Sequence, residues 1–253
     1  MQDQSEQSPV IVERTSERVA HVVLNRPGRR NALTGPLADA MLDAIQTLSA
    51  DDEVTVIVIR GAGDAFCSGL DLKEFSAEPP ADWVADFGTT WRRVHEALFD
   101  CPKIIVGALQ RAAVNGGAAL AFACDLLVAG DESFVQVGEI QQGMAAPMNM
   151  AWLRLRYDEA TAGRLALIGD RVAGPELVRL GVAFSSVPDN RVLAAVGELT
   201  ERLASHDPTG VARIKASLRR TVVTATAQEW FAGAVAADPM GGARQSPIAA
   251  ADR

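Results

Sequence analysis

The segment VTVIVIRG, residues 54–61, is apolar at consecutive positions, so as a strand it presents an apolar side chain to both faces of its sheet. A strand with water on one side alternates apolar and polar residues; a continuous apolar run belongs in a sheet covered on both sides. KIIVGAL (103–109) has the same character, RVAHVVLN (18–25) comes close to it before Arg26-Pro27-Gly28 breaks the run, and DLLVAG (125–130) is a fourth candidate strand. Such a sheet needs helices on its faces. After Thr34, a capping residue, Leu37, Met41, Ile45 and Leu48 recur at spacings of three and four, predicting an amphipathic helix that ends near Ala50. Trp91, Val94, His95 and Leu98 mark a second helical face, closed by Pro102. A small-residue helix over 118–123 follows the Gly116-Gly117 pair. Strand and helix therefore alternate, which defines an α/β class.

From about Ala151 the pattern is mainly helical, and Pro175 and Gly181 suit the start and end of one short helix. The expected organisation is a flexible tail over 1–9, an α/β core over 10–199 and a C-terminal helical region over 200–253 with a mobile end, AADPMGGARQSPIAAADR. A chain of 253 residues can bury one substantial core. Its opening, MQDQSEQSPV, lacks the basic and apolar regions of a secretory signal. The stretch AAVNGGAALAFACDLLVAG (112–130) nears the length of a membrane span, but Asn115, the glycine pair and Asp125 mark it as a buried core segment.

With 24 basic and 32 acidic residues the net charge is −8, which disfavours nucleic acid and anionic membranes as partners. An anionic ligand must be held by local cations. Cys67, Cys101 and Cys124 are odd in number and lack C-x-x-C spacing, suggesting neither disulfides nor zinc and favouring a reducing cytoplasmic location. No His/Cys/carboxylate cluster has ligand spacing, so neither a metal nor a redox cofactor is expected.

Two glycine-containing turns follow buried strands: GDAFCSGLDLKE and VNGGAALAF. Both can present bare backbone amides, and a helix N-terminus adds partial positive charge. Two such donors meeting at one oxygen form an oxyanion hole, commonly the largest electrostatic contribution in acyl-group chemistry. Glycines at turns and packing sites are also ordinary, so this pattern by itself leaves a purely structural role open. A complete G-x-G-x-x-G and a G-x-S-x-G around Ser68 are both missing, which leaves dinucleotide binding and a hydrolase elbow unsupported. His95 lies on an apolar helical face and reads as a packed histidine; His21 and His206 have no surrounding motif. Cys67 has no histidine placed beside it by sequence and reads as a buried thiol.

LNRPGRRNAL, GAGDAFCSGLDLKEF, the glycine pair before LAFACDLLVA, GEIQQG, and LALIGDRVAGPELVRLGVAFSSVP resemble, in order, the signature blocks of the crotonase superfamily, the enoyl-CoA hydratases and isomerases. The resemblance runs from about Arg18 to Pro188. It implies a spiral of ββα units with a C-terminal helical region, trimers often paired into hexamers, and an acyl-CoA thioester as substrate. Coenzyme A then enters as part of the substrate and no separate cofactor is implied. The resemblance places the two oxyanion amides on Leu70 and Gly116. It assigns coenzyme A to Arg29, Arg30, Ala32, Ser68, Gly117 and the run Asp71, Leu72 and Lys73, with Lys215 as a weaker candidate. Arginine and lysine suit its phosphates.

The carboxylates depart from the family pattern. One of the two family glutamates falls on Glu139 in GEIQQG; the other position holds Ala119. Hydration needs a base for water and an acid for Cα, whereas moving a double bond from C3 to C2 needs one group that removes a proton from C2 and returns it at C4. Isomerisation by Glu139 therefore fits better than hydration. A protein that binds or carries acyl-CoA without turnover is the alternative, favoured by Ala119 and the altered block GMAAPMNMAW. In that block Met144, Met148 and Met150 suit either an irregular acyl chain or core packing. Arg111, where the family usually has glycine, and the structural acid Asp125 complete the distinctive residues.

Overall fold

The computed structural model describes residues 8–220 and 224–237 of the 253; the two expected mobile ends lie almost wholly outside the described residues. The chain opens with an antiparallel pair, β1 (Val10–Ser16) and β2 (Val19–Leu24). The segment after β2 leads into helix α1 (Gly35–Ala50), capped by the Thr34 hydroxyl, which accepts from Leu37 N. Strand β3 (Val56–Gly61) then returns beside β2, in parallel. A short helix α2 (Leu72–Phe75) and the long α3 (Phe87–Asp100) follow, and β4 (Ile104–Leu109) pairs in parallel with β3.

From here the chain visits two sheets in turn. β5 (Ala112–Val114) leaves the main sheet, α4 (Gly116–Ala123) follows, β6 (Leu126–Gly130) returns to pair with β4, and β7 (Phe134–Gln136) leaves again to pair with β5. A 3-10 turn (Gly138–Gln142) and helices α5 (Pro147–Arg156) and α6 (Glu159–Ile168) come next. Strand β8 (Val172–Ala173) joins the second sheet, α7 (Gly174–Arg179) follows, and β9 (Ser185–Val187) ends the main sheet beside β6. The main sheet runs β1-β2-β3-β4-β6-β9 and the smaller one β5-β7-β8. Isolated parallel bridges Leu33–Leu70 and Cys67–Ala113 extend the smaller sheet toward the earlier units. Successive units thus pass from main sheet to second layer to helix, and neighbours stack in the same order in both layers: a ββα spiral.

The double-sided character of VTVIVIRG has a direct cause. Ile57 and Ile59 face a core shared with α1 and α4, while Val56 and Val58 face a second cluster capped by Val192, Val196 and Leu199 of α8 (Val192–Ala204). The remaining helices, α9 (Pro208–Arg220) and α10 (Ala227–Ala236), make the C-terminal region helical; α10 carries a Thr226/Glu229 capping box and buries Phe231 against His95 and Trp152. Among the described residues no helix is long and apolar enough to cross a membrane.

Several expectations need correction. The helix expected over 118–123 begins at Gly116, because glycine costs little in a first turn whose N–H groups have no intrahelical partner anyway. The periodicity does not anticipate β1, β5, β7, β8 or β9. Four of these have two or three residues, too few for a period, and β1 is exposed along all but its first residue. The chain after Ala151 is consequently less purely helical than its pattern suggests.

Candidate active site

The turn after β3 is built around Asn31, whose buried side-chain amide donates to the carbonyls of Ala62 (3.0 Å) and Ala65 (2.6 Å). It leads into the bridge at Leu70. Leu33 N donates to Gly69 O at 2.8 Å and Asp71 N donates to Leu33 O at 2.9 Å. A trans peptide sets its C=O and N–H on opposite sides. With the Gly69 carbonyl turned to Leu33, the Leu70 N–H in the same peptide plane is directed away from Leu33. Gly69 has φ 87°, and a Cβ there would lie 2.9 Å from the Val114 carbonyl oxygen, so glycine allows the strand of Val114 to approach.

The second amide is aimed in the same way. Asn115, immediately before α4, has φ 51° and ψ −113°, a conformation costly for any side-chain-bearing residue. It is fixed on three sides: Asn115 N donates to Gln136 O, Gly138 N donates to Asn115 Oδ1, both at 2.8 Å, and Asn115 O accepts from Ala119 N (3.1 Å) and from Asn149 Nδ2 (3.1 Å). The Gly116 N–H, across the same peptide from that carbonyl, is thereby oriented. Among the described residues neither Leu70 N nor Gly116 N has a hydrogen-bond partner. Gly117 must also be glycine: a Cβ there would stand 2.4 Å from the Cys67 carbonyl oxygen.

Glu139 sits in the turn Gly138–Gln142 and is 8% exposed. Its Oε1 accepts from Asn149 Nδ2 at 2.9 Å, while Oε2 is buried with no partner. Burial pushes the carboxyl up to about 7; its own backbone amide and Asn149 pull the other way without offsetting it. A carboxyl poised there can hold or release a proton near neutrality. Ala119 is fully buried one turn into α4 and brings no second acid. Asn149, 2% exposed on α5, is the residue that sequence reasoning missed. Its signal was a lone amide on the buried stripe shared with Trp152 and Leu153.

The proposed coenzyme A residues divide into groups. Arg29, Arg30 and Lys73 are exposed and form no ion pair among the described residues, so they remain available to phosphate. Arg30 and Ser68 line a groove of about 410 Å3 together with Arg111 and Arg171. Leu72 is exposed, and Ala32 and Gly117 are buried. The Asp71 carboxylate is already engaged: it caps α2 and receives Arg26 Nη1 at 3.1 Å. Lys215 corrects the expectation for it. Its ammonium is buried against Asp125 Oδ2 and the Lys103 carbonyl, each at 2.6 Å, and fastens α9 to the core, so its charge is already paired inside the fold and is not presented to a phosphate. Arg111 pairs with Asp64 at 2.6 Å. A separate groove of about 500 Å3 between α1 and α3, lined by Gln46, Arg93, Glu96 and Asp100 among others, contains none of these residues.

Other reactive side chains are structural. His95 is fully buried, its Nδ1 accepting from Trp152 Nε1 at 2.8 Å, and burial lowers it to about 3. Burial pushes the Cys67 thiol up to about 12, so no thiolate forms there. Of the methionines, Met148 is buried, Met150 packs partly against the core and Met144 is exposed.

The fold is shared with known structures. The crystal structure of an enoyl-CoA hydratase/isomerase from Xanthobacter autotrophicus Py2 superposes with a TM-score of 0.81 at 27% identity, covering 91% of this chain and 86% of that one. The fold is that of the crotonase superfamily. The enoyl-CoA hydratase/isomerase family model matches residues 14–235. A putative enoyl-CoA hydratase of Thermus thermophilus is 34% identical over 195 residues, covering 76% of this chain and 77% of the relative. The human mitochondrial Delta(3,5)-Delta(2,4)-dienoyl-CoA isomerase is 28% identical over 215 residues, 80% of this chain and 66% of that protein. This chain belongs to the enoyl-CoA hydratase/isomerase family.

Proposed function

We propose that this chain isomerises the double bond of an acyl-CoA thioester, with Glu139 as the proton carrier. The observation that carries this reading is that one buried acid, titrating near neutrality, lies beside the Asn115–Gly116 peptide while Ala119 supplies no second acid. The ionised Glu139 takes a proton from C2 of a 3-enoyl thioester. The C–H electrons move into C1–C2 and the carbonyl pair moves onto the thioester oxygen, which the Leu70 and Gly116 amides receive. Collapse of this dienolate returns the same proton to C4 and leaves the double bond between C2 and C3. No atom is gained or lost, so a single carboxyl completes the cycle. The unpartnered amides stabilise charge that exists only after C–H cleavage begins, and so act on the transition state more than on the ground state. Arg29, Arg30 and Lys73 hold the phosphates of coenzyme A. The dienoyl-CoA isomerase among the relatives supports double-bond movement as the reaction class. The exposed Ile214 and Leu218 on α9, with Leu167 and Ile168 at the end of α6, support assembly into trimers or paired trimers, where such faces are covered.

The test is to supply 3-enoyl-CoA and 2-enoyl-CoA to the native protein and to Glu139→Gln, and to follow positional isomers and 3-hydroxyacyl-CoA separately. Isomerisation that falls about 100- to 10,000-fold in the variant is expected. Water addition in place of isomerisation identifies a hydratase. Tight binding with no turnover of either thioester identifies a carrier, the reading that Ala119 favours.

A further inference from the structure

Two polar atoms of the site are buried and unpartnered among the described residues: Glu139 Oε2 and Asn149 Oδ1. The orientation of the Asn149 amide follows from its neighbours. Nδ2 lies 2.9 Å from Glu139 Oε1 and 3.1 Å from the Asn115 carbonyl oxygen, both acceptors; turning the amide over would set an oxygen against two oxygens. Both hydrogens of Nδ2 are thereby spent. One fixes an oxygen of the acid, and the other fixes the carbonyl whose own peptide carries the Gly116 N–H.

We infer that Asn149 is a positioning residue that couples the acid to the oxyanion donor: it occupies Glu139 Oε1, confines the mobile proton to Oε2, and holds the strained Asn115 peptide so that the Gly116 amide keeps its aim. A carboxyl free to offer either oxygen would return its proton in more than one direction. The hydrogen bond to Oε1 removes that freedom, and the unpartnered Oε2 is the only oxygen left to exchange a proton.

The carboxyl is free of competing charges. α4 carries no charged side chain, and the turn Gly138–Gln142 carries only Glu139 itself. Of the two arginines on α5, Arg154 stacks over Trp230 and Arg156 is spent on the carbonyls of Phe122, Cys124 and Asp125. On the adjoining α6, Arg164 pairs with Glu176 and Glu159 is exposed in the first turn. The influences on the Glu139 carboxyl are burial, its own backbone amide and Asn149. Removing Asn149 therefore takes a donor from the ionised form and raises the pH at which the acid ionises.

The activity arm of the test rests on the isomerase reading; a second arm does not. In Asn149→Ala, the acid limb of kcat/KM for 3-enoyl-CoA moves to higher pH and kcat falls about 10- to 100-fold, with a smaller change in KM. In the ligand-free protein, the carboxyl infrared band that Glu139→Gln abolishes titrates at higher pH in Asn149→Ala than in the native chain. Asn149→Leu, close in size, uncharged and lacking the donor, gives the same upward displacement if the alanine variant folds poorly. A folded variant whose infrared titration is unmoved overturns the inference, whichever reaction the enzyme performs. A moved band together with no isomerisation of any thioester leaves the coupling standing and overturns the isomerase reading alone.

Discussion

Glu139 is the residue at which the proposed chemistry and stability oppose each other. Its carboxyl ionises near pH 4.5 in an unfolded chain and at about 7 in the folded one. Between these values the unfolded chain has released a proton that the folded chain retains, so stability falls as pH rises through that window and the full deficit is present above it. The deficit amounts to about 3 kcal/mol. Glu139→Gln keeps the amide contact and has no charge to bury. It is expected to be more stable than the native protein at pH 8, equal to it at pH 4, and inactive; denaturant titrations at the two pH values check this. At the same scale the two turns that leave Leu70 N and Gly116 N unpartnered were legible as glycine blocks, although the choice of those two amides came from the family resemblance. Asn149 was not, because a single amide within PMNMAWLRLR carries no sign of which carbonyl or carboxyl it will face.

The elements are held in place by a few buried polar links and close backbone approaches. Asp125, at the start of β6, accepts from Ile105 N at 2.8 Å and from Lys215 and Arg219 of α9. Burial alone would raise its carboxyl, but the two cations together hold it below the usual range. Asp125→Ala strands a buried ammonium and is expected to cost about 3–5 kcal/mol, read as a lowered denaturation midpoint. Hydrogen exchange in the variant should rise first in α9. Gly117→Ala sets a methyl against the Cys67 carbonyl and is expected to displace the start of α4. A loss of activity larger than its loss of stability, measured on the folded fraction, is the outcome that checks it. Long elements were readable because periodicity accumulates: α1, α3, β3 and β4 all stand where their apolar spacing puts them. The second layer was not, since β5, β7 and β8 are defined by what lies beside them and hardly at all by their own residues.

On the scale of the whole molecule, His95 links the core to acid. It is enclosed by Trp91, Trp152 and Phe231, and it protonates at about 3 when folded against 6.5 when unfolded. Below about pH 6.5 the unfolded chain gains a proton that the folded chain refuses, so stability is lost progressively toward pH 3, by about 5 kcal/mol in all. His95→Phe removes the titrating group and is expected to flatten this part of the pH–stability curve, although it also leaves Trp152 Nε1 without its acceptor. The two amides proposed as oxyanion donors have a different kind of robustness. Both belong to the main chain, and among all replacements at Leu70 only proline deletes an amide hydrogen. On the proposed reading, inheritance can redraw the surroundings of these amides one side chain at a time, trading one acyl group for another, while the donors themselves are copied unchanged from parent to descendant.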